Sequence, residues 1–268
     1  MDASKPDPGP DPGHVPSSPD PGAPPQAAVP AEWTRRILAG ATLGLAVPPA
    51  WLARAYERYR ATLEAADYPC FFGQAAERNR EMFYAFCARS PDLLLDSMRQ
   101  FIALGGDEKY RRFSLAVFVE PDAELLAHED YVRRFWDLLR YLNEHDGTPM
   151  VPADPDDPFW EFSFGGRQMF VVGTSPTYRQ RRSRVLADGM VLLFQPRGLF
   201  VDPATQQPIS AAVRRRIHAR MLAYDGMPVH PDIGFYGDPD NREWKQYVLP
   251  DDNAPETGRC PFRAKPRR

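Results

Sequence analysis

Cysteine is scarce: Cys70, Cys87 and Cys260 are the only three in 268 residues, with no CxxC pair and no Cys/His finger spacing. Neither a disulfide framework nor a structural zinc site is supported, and at most one of the three is left to do chemistry. Histidine is nearly as sparse. His14, His128, His145, His218 and His230 have no mutual motif spacing, so a two-histidine, one-carboxylate iron triad has no sequence support. No GxGxxG follows a predicted strand, which removes the usual flavin fingerprint. No apolar run approaches the ~20 residues of a membrane span. Charge of one sign is also missing: the formal net charge is −3, and the first 30 residues, with four aspartates against one lysine, account for roughly all of it. A near-neutral remainder argues against general nucleic-acid binding. Those first 30 residues hold 10 of the 30 prolines and no aromatic residue, so they cannot offset the entropy of ordering; residues 1–30 are expected to be a disordered tail. Their acidic, proline-rich start differs from the basic-then-apolar pattern of a leader, and a soluble, cytoplasmic protein with no membrane partner is expected.

Residues 31–250 are expected to form one domain, and 251–268 a loose C-terminal tail. Leu52, Tyr56, Tyr59 and Leu63 recur at spacings of four, three and four, which predicts a helix over 49–66. It must end before Asp67-Tyr68-Pro69, because a residue preceding proline is pushed out of helical geometry. A second helix is predicted from about 74 to 88, carrying Phe83, Phe86 and Cys87. Ser90-Pro91-Asp92 is a third helix start, and Gly105-Gly106 its stop. The run 112–120, RFSLAVFVE, is apolar on both faces and reads as a mid-sheet strand. A clear amphipathic helix covers 129–143. Ile209, Val213, Ile217 and Met221 step by four on a later helix, with Arg214, Arg215, Arg216 and Arg220 on a solvated outer face, and a short strand is predicted at 246–249. The fold class is α+β: a single domain whose mixed or mainly antiparallel sheet is packed with helices.

The stretch 159–197 organises the rest. Phe159, Glu161 and Ser163 alternate with Trp160, Phe162 and Phe164, and Gly165-Gly166 offers a two-residue turn into a returning strand at 168–172. A more fully buried strand is predicted at 190–195. Between them lie Arg179, Arg181, Arg182 and Arg184, which repel one another unless an anion, acidic side chains or water holds them; both a bound anion and a solvated basic loop fit this pattern.

Several fragments in order resemble the YqcI/YcgG family over roughly residues 50–250: Tyr68-Pro69-Cys70-Phe71-Phe72-Gly73; Phe135-Trp136 with Leu138-Leu139; Glu161-Phe162-Ser163-Phe164-Gly165-Gly166 with Met169-Phe170-Val171-Val172; Arg181-Arg182-Ser183-Arg184; and Tyr236-Gly237-Asp238 with Lys245-Gln246-Tyr247. One branch of that family resembles heme-dependent N-hydroxylases of arginine or related guanidino compounds in natural-product biosynthesis, of the D-cycloserine and guanitoxin pathway type. Other members carry a His-Pro pair before the arginine cluster where this chain has Ser175-Pro176, which weakens any scheme with a histidine ligand from this loop.

The resemblance implies a monooxygenase that uses heme b iron, dioxygen and electrons from an external reductase to hydroxylate a small guanidino substrate. Activated dioxygen has to come from a cofactor, and heme is the one that a single thiolate or imidazole can hold. Cys70 is the preferred axial ligand and catalytic residue. It follows a forced helix break, Phe71 and Phe72 can pack on a macrocycle, and a helix beginning near Gln74 would direct its positive end at a thiolate. His230 is the rival ligand. The heme carboxylates are assigned to Arg182 and Arg184, two apart on an extended strand, with Arg197 as a third partner. Glu161, Asp157, Asp225 and Asp238 are the candidates for holding the substrate guanidinium. The alternatives are a non-catalytic heme-binding sensor or carrier and, without a cofactor, a basic loop that grips phosphate or nucleic acid.

Overall fold

The computed structural model describes residues 36–38, 49–88, 90–200 and 210–262. Five strands form one sheet in the order β1-β2-β5-β4-β3: β1 (Met82–Cys87), β2 (Ser114–Val119), β3 (Ser163–Phe164), β4 (Arg167–Thr174) and β5 (Val191–Pro196). β1 and β2 run parallel, and the other pairs are antiparallel. The domain is α+β, with a mixed, mostly antiparallel sheet, as expected.

Alternation along the strands divides the core between the two faces of the sheet. Phe83, Ala85, Cys87, Leu115, Val117, Leu192 and Phe194 face one cluster, shared with helices α3 (Asp92–Leu104) and α4 (His128–Glu144). Met82, Tyr84, Phe86, Ala116 and Phe118 face the other, covered by Leu52, Tyr56, Tyr59 and Leu63 of helix α1 (Ala50–Glu64). Two buried faces explain why β2 reads as a run apolar on both sides, and β1 beside it is likewise buried throughout. The Gly165-Gly166 turn forms as predicted: φ is 57° and 73°, the left-handed pair a two-residue hairpin turn needs. It sets Ser163 against Gln168 and Phe164 against Arg167.

Four expectations are corrected. The second helix is shorter: α2 spans Phe71–Arg78, Arg80 turns left-handed at φ 60°, and the remainder becomes β1. An aromatic-rich run with a parallel partner pairs as a strand despite its helix-like spacing. The strand expected at 246–249 is absent; Glu243–Gln246 is a 3-10 turn. Residues 251–262 do not form a loose tail. Asp251 accepts the backbone N–H of Arg179, Gln180 and Arg181, and Cys260 and Phe262 are buried in the core. The late helix, α5 (Ala211–Asp225), contains no buried residue. The predicted tail at 1–30 lies outside the described residues.

Candidate functional site

A cavity of about 260 Å³ opens beside the sheet, under α1, α2 and α5. Its wall is mostly apolar: Tyr59 and Leu63 from α1, Phe72 from α2, Phe170 and Leu193 from the strands, Ile217 and Met221 from α5. Polar groups enter at several points, among them Cys70, Arg184, Arg197, Arg214, His218 and Glu243. An apolar cleft with a few convergent polar groups has the form of a small-molecule site.

Cys70 is placed by the break that Pro69 imposes. The helix begins three residues earlier than predicted, so Cys70 is itself the N-cap of α2, and its Sγ accepts the Gly73 N–H at 3.3 Å. Burial raises its thiol above the ordinary value, opposed by the Gly73 and Phe72 amides and then by the Arg184 and Arg220 guanidinium groups. Among the protein's own groups the sulfur is therefore held towards the protonated form. A metal ion would reverse that balance by displacing the proton, and the helix end and the two cations would then support the thiolate.

The arginine cluster is largely engaged by the protein itself. Arg182 and Arg184 lie in a 3-10 turn, Arg182–Arg184, so the predicted same-side placement on an extended strand does not occur. Arg184 lines the cavity and also donates to the carbonyls of Gly173, Tyr247 and Gln246 at 3.0–3.3 Å. Arg182 turns away, onto the Tyr224 carbonyl and ring. Arg181, fully buried, is held by the carbonyls of Pro250 and Asp252.

Arg197 lines the cavity inside an ion-pair cluster. Its Nε donates to Glu161 Oε2 at 2.8 Å, and its Nη2 to Glu161 Oε1 and to Glu243 Oε1, the latter at 2.9 Å. Its guanidinium lies 3.8 Å from the centre of the Tyr236 ring. Glu161 is fully buried, and burial, opposed by Arg197, pushes its carboxyl up to about 7. Burial likewise raises Glu243. With two carboxylates on it already, Arg197 is poorly suited to a third anion.

The remaining candidates are dispersed. Asp157 caps its own turn by accepting the Phe159 N–H at 2.8 Å, and Asp225 accepts both the N–H and the hydroxyl of Ser183. The Asp238 backbone closes a turn onto Phe235. None of these three lines the cavity, nor does Glu161, which stands behind Arg197. His230 is buried with Nε2 on the Ala254 carbonyl at 3.1 Å and Nδ1 accepting the Asp232 N–H at 3.1 Å, so both ring nitrogens are used outside the cavity. Phe72 faces the cavity, whereas Phe71 is covered by Arg216 and Arg220, at 4.9 and 4.5 Å.

Sequence reasoning missed Arg214, His218 and Glu243. Arg214 lies 3.6 Å from the Phe235 ring centre, and His218 stacks on the same ring at 6.1 Å. Burial, then Arg214, lowers the His218 pKa. Their spacing of four was the available signal for a shared helix face. Glu243 gave no local signal.

No group of three or more His, Cys, Asp or Glu among the described residues is arranged to hold a metal ion. No helix among them is long and apolar enough to cross a membrane.

Comparison with known proteins finds relatives over most of the chain. The profile of the YqcI/YcgG family matches residues 59–263. The YcgG protein of Bacillus subtilis (strain 168) is 35% identical over 228 residues, covering 80% of this chain and 88% of that protein. YqcI of the same organism is 34% identical over 205 residues, covering 73% and 80%. A Streptomyces lavendulae protein named "Putative N(omega)-hydroxy-L-arginine synthase DcsA" is 29% identical over 223 residues, covering 79% and 84%. No solved structure matches the chain.

Proposed function

The chain belongs to the YqcI/YcgG family, and on that footing we propose that it is a heme-dependent monooxygenase that N-hydroxylates L-arginine or a related guanidino compound in natural-product biosynthesis. The observation that carries this reading is Cys70, a thiol at a helix N-terminus facing an apolar cavity. The name of the Streptomyces lavendulae relative supports the substrate class.

The residues present fit an iron porphyrin. The Cys70 sulfur, held by backbone amides at the helix end, retains a lone pair for a metal. Phe72, Leu193, Ile217 and Met221 offer apolar contact to a macrocycle. Arg214 faces the cavity with no acidic partner among the described residues, which makes it better suited than Arg182 to a heme carboxylate; Arg184 adds a second positive charge to the cavity lining.

When bound, heme b supplies the activation of dioxygen that no side chain provides. In the overall reaction one oxygen atom enters the new N–O bond and the other leaves as water, with two electrons and two protons from an external reductase system. The chain's own part is to hold the iron through Cys70, exclude water with the walls of α1 and α5, and orient a cationic substrate.

The test is the visible spectrum of protein purified from heme-sufficient cells. A Soret band at stoichiometric loading is expected, with a red-shifted ferrous–carbon monoxide band that Cys70→Ser abolishes while Cys87→Ser and Cys260→Ser retain it. Oxygen consumption by the reduced protein should require the guanidino substrate. A protein that stays colourless would sink the proposal.

A further inference from the structure

We propose that Glu243 is the group with which the cavity recognises a guanidinium cation. It is the one carboxylate on the cavity wall among the described residues. Behind it, Glu161 takes both the Nε and an Nη2 hydrogen of Arg197, a side-on pair that balances one charge of each sign. Glu243 shares the same Nη2, so once Glu161 is ionised, above about pH 7, two carboxylates face one guanidinium and leave a negative surplus. The surplus sits on the cavity side of the cluster.

The other partners of Glu243 orient it without neutralising it. Asn241 Nδ2 and Gln246 Nε2 donate to its Oε2 at 2.8 and 3.2 Å, and both are uncharged amides. A carboxylate offers about four acceptor positions. Three are taken, and Oε1, which holds only Arg197, can accept another donor. A buried unbalanced charge is costly, and a cation entering the cavity removes that cost. A cluster already built around one guanidinium suits a second.

The shape of the wall agrees. Tyr236 covers the face of Arg197, and Phe170 and Phe200 line the same cavity edge to face, 5.7 Å apart, giving flat apolar surfaces against which a planar cation stacks. Arg184 and Arg214, also on the wall, suit anionic groups. A ligand with a guanidinium at one end and a carboxylate elsewhere matches this charge pattern.

The role of Glu243 rests on the proposed function for its substrate class, but the binding itself does not require turnover. Purified protein, with whatever cofactor it carries, is titrated calorimetrically with L-arginine and with L-citrulline, the uncharged isostere. The wild type should prefer arginine by roughly tenfold or more, the scale of one charge-assisted contact in a buried site. Glu243→Gln should lose that preference by weakening arginine alone, and Arg215→Gln on the outside of α5 should keep it. Equal wild-type affinities overturn the proposal without any variant, as does a Glu243→Gln protein that still prefers arginine. A fall in affinity for both ligands together would show that Glu243 only maintains the fold, which also overturns it. A colourless protein that prefers arginine would refute the heme reading and leave this one standing.

Discussion

Glu161→Gln isolates a charge that the fold buries at a cost. Glu161 is fully buried between Arg197 and the core, and burial, partly offset by Arg197 and reinforced by Glu243, lifts its carboxyl from 4.5 to about 7. A carboxyl whose folded value exceeds its unfolded one binds its proton more tightly in the native state. Its contribution to stability is therefore complete below pH 4.5 and is lost as pH rises through 7. At ~1.4 kcal/mol per pH unit across that window, the loss is about 3 kcal/mol. The wild type should show it as a urea midpoint that falls between about pH 5 and pH 8, to which Glu243, raised in the same direction, adds. The substituted amide keeps the shape and can accept one of the two Arg197 hydrogen bonds through its oxygen, but it has no proton to lose. The variant's midpoint should therefore fall less across the window. Two parallel curves would refute the reasoning, because the slope would then belong to other groups.

The other predictions concern single contacts. Arg184→Ala strips a charged donor from the buried carbonyls of Gly173, Tyr247 and Gln246, and a loss of about 2–4 kcal/mol in denaturant unfolding is expected from the hydrogen bonds to a charged group alone. Asp251→Ala leaves three backbone N–H groups of the arginine loop without their acceptor, with an expected cost of about 1–3 kcal/mol by the same assay. Under the proposed heme assignment, Arg214→Gln should speed heme transfer to an apo-globin acceptor while Arg215→Gln does not, since of the two only Arg214 stands on the cavity wall.

What the sequence made legible follows from where its constraints act. The Gly165-Gly166 hairpin, the start of α3 at Ser90-Pro91-Asp92 and the break at Pro69 are local, because turn chemistry, capping and a proline clash are decided within a few residues. Cys70 stands at such a break, as the N-cap of α2. β1 was misread because its aromatic residues satisfy a helical period, and only the parallel partner β2 decides the case. The placement of Arg182 and Arg184 on an extended strand failed for a similar reason. Four cations in six residues fit either an external anion or a solvated loop, whereas carbonyls of 246–252, some 70 positions along the chain, hold the guanidinium groups of Arg181 and Arg184, and the Tyr224 carbonyl holds Arg182. Glu243 was invisible because its charge matters only once Glu161 and Arg197 meet it.

Helix α5 shows why periodicity alone misplaced a wall of the site. Its Val213, Ile217 and Met221 stripe was expected to pack against protein, with the arginines turned to water, yet no residue of the helix is buried and Val213 is 39% exposed. Ile217 and Met221 instead line the cavity together with Arg214 and His218. A stripe that mixes aliphatic side chains with a guanidinium and an imidazole is poorly matched to a protein core, but it suits a ligand that is apolar in the middle and charged at its edge. If that ligand covers α5, its binding and the stability of the helix are one equilibrium. Ligand at about a hundred times its dissociation constant should add about 2.7 kcal/mol to unfolding, and hydrogen exchange over residues 211–225 should slow on loading. Exchange that is the same in the loaded and unloaded protein would mean that α5 closes over nothing, and the apolar cavity wall it contributes would need another explanation.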